Sequence, residues 1–373
     1  MNKWRFIILS VCIITLAGCA ETKILERISI TTLIGYDLED NDKVSTTAVI
    51  RQVNPEFESK VDTISAENYT SKGTRAKINL KTSKKIMAGQ LRVVLLGDEL
   101  VKNDIGPTLE SLSKDPDISS SISLAVVEGK AKPLIEHKYE NIKDIGQHIY
   151  MLLEQNVERE HSISSTLHEV SRVYYSPLSD LILPVLKKKD DLVEISGIAF
   201  FNDAKMVGQL PSSDGFFVKI SRDNYKSGIL EIIINANGLA SQSDQNLPDE
   251  VPISIDAIKT VRKLKLIDSS DLEFDLNIKI KGRILELHPD VNVGNPRLVK
   301  ELEKAIDKKI TSEISRVIAY SQEINADVYG FGEHYRSHVR NSKLTSEKWH
   351  EIYPKIKVNV QVDFETIRSG VFE

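Results

Sequence analysis

Cys19 has surroundings that prescribe a covalent chemistry. It closes Leu16-Ala17-Gly18-Cys19, which follows Lys3, Arg5 and an apolar run from Phe6 to Leu16 broken by Ser10 and Thr15. That run is much shorter than the roughly 20 apolar residues of a spanning helix, and its charge–core–small-residue order is that of a secretory signal. Small Ala17 and Gly18 let an extended backbone enter a signal peptidase, and a thioether to diacylglycerol needs a thiol. The segment reads as a bacterial lipobox. Residues 1–18 are expected to leave as a signal peptide, and Cys19 to become an S-diacylglyceryl, N-acylated first residue. Two or more acyl chains, at about 0.8 kcal/mol per buried CH₂, hold a protein stably where one chain is marginal. The competing reading is an ordinary signal peptide or N-terminal anchor with Cys19 incidental. Agreement of charge, core length and all four lipobox positions favours lipidation.

Other chemical-looking residues are weaker. His334 and His338 lie four apart with Glu333 beside them, but a zinc protease helix needs its glutamate between the histidines as base. A structural or exposed loop is expected there, with no bound metal. Ser111-Leu112-Ser113-Lys114 has the spacing of penicillin-recognising acyl enzymes without their Ser-Asp-Asn and Lys-Thr-Gly partners. Gly330-Phe331-Gly332 begins like a dinucleotide loop, yet it follows a helix and lacks the third glycine at Tyr335. No Gly-x-Ser-x-Gly elbow and no phosphate-cradling Gly-Lys-Ser/Thr loop occurs. Trp349 is expected to anchor packing. No catalytic residue, cofactor or enzyme activity is expected.

The 373 residues allow two or three domains. Lys+Arg 49 against Asp+Glu 54 gives a net charge of −5, so nucleic acid is not an expected partner. Loss of Lys3 and Arg5 with the signal takes this to −7. The two cysteines, Cys12 and Cys19, exclude a disulfide framework.

Alternation and turn residues predict a hairpin over 28–53, with Asp40-Asn41-Asp42 at its tip. They predict a helix-like stretch over 65–86, a buried strand at Leu91–Gly97, a short helix opened by Gly106-Pro107, and a strand at Ile122–Val127. Helices are expected over 144–157 and 162–175. Leu178–Leu192, with Pro177, Pro184 and Lys187-Lys188-Lys189-Asp190-Asp191, reads as the boundary between an N-terminal α/β domain (19–190) and a C-terminal α+β domain (191–373), with room for a third subdomain. A second hairpin is expected over 193–210, and strands at 229–234, 271–287 and 355–367. Asn295 and Pro296 open a long helix, 296–328, striped by Leu298, Leu302, Ile306, Ile310 and Ile314. The class is α+β: antiparallel or mixed sheets with helices packed on one face, in a multi-subdomain extracytoplasmic lipoprotein.

Four pieces, in order, carry a resemblance. They are Gly35-Tyr36-Asp37; Ser196-Gly197-Ile198-Ala199-Phe200-Phe201-Asn202-Asp203-Ala204-Lys205-Met206-Val207-Gly208; Asn325-Ala326-Asp327-Val328-Tyr329-Gly330-Phe331-Gly332-Glu333; and Trp349 before Tyr353-Pro354 and a strand ending Ile367-Arg368-Ser369-Gly370. With the lipobox, the chain resembles over its whole length the C-subunit lipoproteins of spore germinant receptors. The resemblance implies a non-catalytic lipoprotein on the outer face of the spore inner membrane, beside a polytopic A subunit and a transporter-like B subunit, in a mixed α/β fold of up to three subdomains. One departure stands out. Members usually carry a bulky residue, often tryptophan, soon after the Val207-Gly208 position, where this chain has Gln209-Leu210-Pro211, which bears on any partner contact at that hairpin. The alternative is a solute-binding lipoprotein feeding a membrane transporter, for which two similar lobes around a cleft would be expected.

Overall fold

The structure, a computed structural model, describes residues 28–52, 60–159, 162–224, 228–235, 248–287 and 295–367. Cys12, the lipobox residues Leu16, Ala17, Gly18 and Cys19, and the terminal Arg368-Ser369-Gly370 lie outside the described residues. No described helix is long and apolar enough to cross a membrane.

The first sheet has nine strands. β1 (Ile28–Glu39) and β2 (Lys43–Gln52) form the expected hairpin, and β3 (Lys60–Asn68) extends it antiparallel. β1 then pairs in parallel with β4 (Lys85–Met87) at its start and with β5 (Val93–Gly97) at its middle. β6 (Ser123–Val127) and β7 (Ile182–Lys189) continue in parallel, and β8 (Leu192–Asn202) and β9 (Lys205–Pro211) close the edge antiparallel. Parallel central strands are buried on both faces and read as unbroken apolar runs. Accordingly Val94 and Leu96 point into one core and Val93 and Leu95 into another. On the first of these faces lie α1 (Ser71–Asn79), α2 (Asp98–Asn103), α3 (Gly106–Ser113) and α6 (Leu167–Tyr174); on the second lie α4 (Ala131–Glu136) and α5 (Ile145–Glu158). The α+β class with mixed sheets holds, and this sheet carries helices on both faces because its centre is parallel.

The second sheet runs β10 (Gly228–Asn235), β11 (Glu250–Asp268), β12 (Glu273–Glu286), β13 (Lys357–Thr366). Its strands alternate, as Phe274, Leu276, Ile278 and Ile280 show by being buried while Lys279 and Lys281 face outward to Asp363 and Glu365. One face is covered by α8 (Pro296–Glu323) and by α7 (Gly215–Arg222). Helix α8 is about 42 Å long at 1.5 Å per residue and buries Leu298, Leu302, Ile306, Ile310, Ile314 and Val317. At the edge strand β13, Asp307 and Glu303 of α8 accept from the backbone N–H of Phe364 and Thr366, at 2.6 and 2.8 Å. These side chains satisfy donors that would otherwise invite another strand.

Several expectations are corrected. Residues 65–68 belong to β3 and the helix starts only at Ser71, where Thr70 caps it by accepting from Gly73 N. The stretch 178–192 is no linker: it holds β7, whose first five residues are buried. Residue 190 falls in the β7–β8 turn, with Asp190 at φ 51, so the second half of the chain lends β8 and β9 to the first sheet. The long helix ends at Glu323 rather than 328, because Asn325 takes a left-handed φ of 55. Glu333–His338 is not a loop but most of α9 (Phe331–His338), and α10 (Ser346–Ile352) follows it.

Candidate functional site

The distinctive pieces of the sequence converge on one place. The turn after α8 brings Asp327 to the start of α9, where the helix has free backbone donors in need of acceptors. Asp327 is fully buried. Its Oδ1 accepts from Gly330 N (2.9 Å) and Phe331 N (3.1 Å), and its Oδ2 from Gly332 N (2.8 Å) and from the indole Nε1 of Trp349 (3.0 Å). All four carboxylate lone-pair positions hold donors. Gly330, at φ 75, makes the left-handed turn that points these amides inward.

A second buried acid sits beside it. Asp180, in the loop before β7, accepts from Asp327 N (2.7 Å) through Oδ2 and from Asp203 N (2.9 Å) through Oδ1, while Asp180 N donates back to Asp327 O (2.9 Å). His350 Nε2 donates to both oxygens at 3.0 and 3.1 Å. Asn202 Nδ2 donates to Asn325 O at 2.6 Å, and Ser346 Oγ to Asp203 Oδ1 at 3.2 Å. Asn202 and Asp203 form the tip of the β8–β9 hairpin of the first sheet. Residues 325–332 and α10 belong to the second unit. The junction therefore ties the two sheets together through charge-assisted bonds, which are the stronger kind.

The same motif logic recurs at the other end of the first sheet. Asp37, 1% exposed, accepts from Ala131 N (2.6 Å) and Lys132 N (2.9 Å), fixing the start of α4. A Cβ on Gly35 would lie 2.5 Å from Ile135 Cδ1, and one on Gly97 2.2 Å from Asp37 Oδ1. Gly35-Tyr36-Asp37 is thus a packing device.

Could the junction hold a ligand or do chemistry? Ligand atoms of Asp180, Asp203 and His350 lie within 4.8 Å of one another, a donor set suited to a divalent ion. Both Asp180 oxygens are already occupied by backbone amides and the imidazole, so the cluster is accounted for as a structural ion pair. His334 and His338 stack with ring centroids 4.1 Å apart, and burial, with His338 adding to it, holds the His334 pKa below its ordinary value. Glu333 is turned away to Ser176 and Arg336, so the three do not converge. Ser111 Oγ accepts from Ser71 Oγ (2.8 Å), and Lys114 pairs with Glu110 (2.6 Å); no nucleophile–base couple forms. Trp349 is fully buried, an anchor as expected. Gln209-Leu210-Pro211 packs within the chain: Gln209 N donates to Tyr320 Oη (2.9 Å), which donates to Gln209 O (3.1 Å), and Leu210 is buried. Sequence reasoning missed Asp180 and His350 as members of one cluster. They are 170 residues apart, and neither lies in a patterned run.

The Asp180–His350 pair sets a pH dependence. Burial opposes the imidazolium, and the Asp180 carboxylate outweighs it, so His350 titrates above its ordinary value. A base raised on folding stabilises fully below its unfolded pKa, near 6.5, and loses that stabilisation as pH climbs through the folded value. The thermal midpoint should fall between about pH 6 and pH 8, and His350→Gln should flatten the part above neutrality. A wild-type midpoint that stays level over this window would remove the ion pair from the account.

Comparison with known proteins bears on what such a junction serves. The family model described as spore germination protein N-terminal domain matches residues 21–188, and that described as spore germination B3/GerAC like, C-terminal, matches residues 196–370. Similar curated proteins include spore germination protein GerQC of Bacillus cereus, 29% identical over 100% of both chains. Spore germination protein KC of Bacillus subtilis is 20% identical over 98% of this chain and 95% of that one. The crystal structure of the GerBC protein shares the fold, with a TM-score of 0.55 at 17% identity, over 90% of this chain and 97% of that one.

Proposed function

Because the chain belongs to the spore germination GerAC-like family, we propose that it is the lipid-anchored, non-catalytic C subunit of a nutrient germinant receptor. Cys19, at the end of Leu16-Ala17-Gly18-Cys19, is its lipidation site and holds residues 20–373 on the outer face of the spore inner membrane beside polytopic A and B subunits. The domains divide at about residue 190, with the second lending a hairpin to the first.

One observation carries the reading. The two family-matched segments are joined at a junction whose two buried carboxylates, Asp180 and Asp327, have every oxygen held by backbone amides, His350 or the Trp349 indole, as suits a rigid scaffold rather than a site that turns over substrate. The solute-binding alternative calls for two similar lobes, whereas the described residues form a nine-stranded mixed sheet and a four-stranded one. Tethering within nanometres of the bilayer raises the effective concentration beside membrane partners to about millimolar.

Cys19→Ala is the direct test. The variant should leave the membrane fraction, fail to co-purify with the A and B subunits, and abolish the nutrient response of spores. A Cys19→Ala protein that stays membrane-bound and functional would rule the anchor out.

A further inference from the structure

Between Asn68 and Gly97 the chain has seven Lys and Arg residues and no Asp or Glu. This +7 stretch sits in a chain of net charge −5, so the remainder sums to −12. Two of the seven are engaged elsewhere: Arg75 pairs with Asp115, and Arg92 lies 5.5 Å from the centre of the Tyr150 ring. The five lysines Lys72, Lys77, Lys81, Lys84 and Lys85 lie on α1, on the turn after it and on β4. Lys77 and Lys81 donate to the backbone carbonyls of Glu67 and Ser65, at 2.9 and 2.7 Å. These acceptors are neutral, so the positive charges remain. Three acids border the patch, Asp62 by Lys81 and Lys84, Asp117 by Lys85, and Asp115 by Lys72, the last already paired with Arg75, so the lysines outnumber them. Among these lysines stands Leu80, 88% exposed at the C-terminal end of α1. Edge protection explains two of the lysines. It does not explain an almost fully exposed leucine ringed by them.

The position of this patch supplies the occupant. β4 pairs with Ile28–Ile30, the first described residues of β1. Cys19 lies nine residues before Ile28, and nine extended residues reach at most about 30 Å. A chain anchored at Cys19 thus presents this end of the first sheet to the bilayer. There a cluster of lysines attracts anionic headgroups, and an exposed leucine can enter the boundary between headgroups and acyl chains. The rest of the chain is net acidic, so its surface on balance is repelled.

We propose that the lysine-rich segment 72–85, centred on Leu80, is the face by which the domain lies against an anionic lipid surface. The proposal rests on the lipid-anchor reading for the nearness of the membrane. The attraction itself needs no acyl group, and this separates the two experimentally.

The test uses the mature chain 19–373 carrying Cys19→Ser, sedimented with vesicles of phosphatidylcholine alone or with phosphatidylglycerol added. It should partition onto the anionic vesicles only, and salt should release it as the screening length shrinks from about 10 Å at 0.1 M to about 3 Å at 1 M. Each lysine at such a surface is worth about a fivefold change in partitioning, so Lys84→Glu with Lys85→Glu should lower it at least about twentyfold. In a second measurement, Leu80→Trp should shift its emission to the blue on anionic vesicles. The native Trp349 is fully buried and stays silent. Equal partitioning onto both vesicle types, no partitioning at all, or indifference to the double charge reversal would each overturn the proposal; the second would hand the patch to an acidic protein. Mass spectrometry of Cys19 from native membranes reports on the anchor separately. An acylated Cys19 with an indifferent patch sinks this inference and leaves the anchor standing.

Discussion

Asp327→Asn should destabilise the folded chain by about 3 kcal/mol or more, read as a lower urea midpoint at unchanged slope. The amide keeps one oxygen and replaces the other by an NH₂ group. In one orientation that NH₂ faces Gly332 N–H and the Trp349 indole N–H; flipped, it faces the amides of Gly330 and Phe331. Either way two buried donors meet a donor, and each orphaned donor costs about 1–3 kcal/mol. The damage spreads, since Asp327 N donates to Asp180, which in turn holds Asp203 N and His350. The variant should therefore lose the His350-dependent pH slope as well as stability, a double signature that ordinary core damage elsewhere would not give. A midpoint within about 0.5 kcal/mol of wild type, with the slope intact, would mean that Asp327 is not the organiser of the junction. In the cell, the expected consequence is a lower level of this protein, because losses of this size change protein abundance several-fold.

The legible parts of the fold were those with an uninterrupted period. β12 and β13 alternate cleanly, and α8 keeps its stripe from Leu298 to Val317, so these two strands and the helix over them could be read directly. β11 could not. Val251, Ile253 and Ile255 face the core on odd positions; a register shift between Ala257 and Lys259 moves the inward face to Thr260, Arg262, Leu264 and Leu266. A period-2 pattern that changes parity midway looks like no pattern. One inward position is even an arginine, whose guanidinium donates to Ser221 O (2.6 Å) and Tyr329 O (3.2 Å). β7 was hidden differently, by Pro184 inside it and three lysines at its end. The junction was half legible. Residues 196–208 and 325–333 stood out as motifs, yet nothing in one dimension says that Asn202-Asp203 and Asn325–Asp327 touch. The partner that joins them, Asp180, sits in an irregular loop. Those motifs resembled a family because their residues satisfy backbone and fill tight space, and that role is set by the fold.

Gly330 and Gly332 look alike in the sequence, and the structure separates them. Gly332→Ala should cost about 1–3 kcal/mol or more through overpacking, because a Cβ there lies 2.6 Å from Leu178 O and 2.7 Å from Trp349 Cε2 and Nε1. None of these can move cheaply: Leu178 is fully buried in the loop that carries Asp180, and the indole is bonded to Asp327. At Gly330 a Cβ meets nothing within 4 Å, but φ is 75, so the penalty there is backbone strain of about 1–2 kcal/mol. Asparagine tolerates that conformation. Gly330→Asn should therefore fold nearly normally, while Gly332→Asn should be worse than Gly332→Ala. Gly89→Ala, in open space at ordinary φ, serves as the control and should be neutral or gain about 0.5 kcal/mol. Equal tolerance of asparagine at positions 330 and 332, measured by thermal unfolding, would contradict the close packing of α9, the Leu178 loop and Trp349 on which the rigidity of the junction depends.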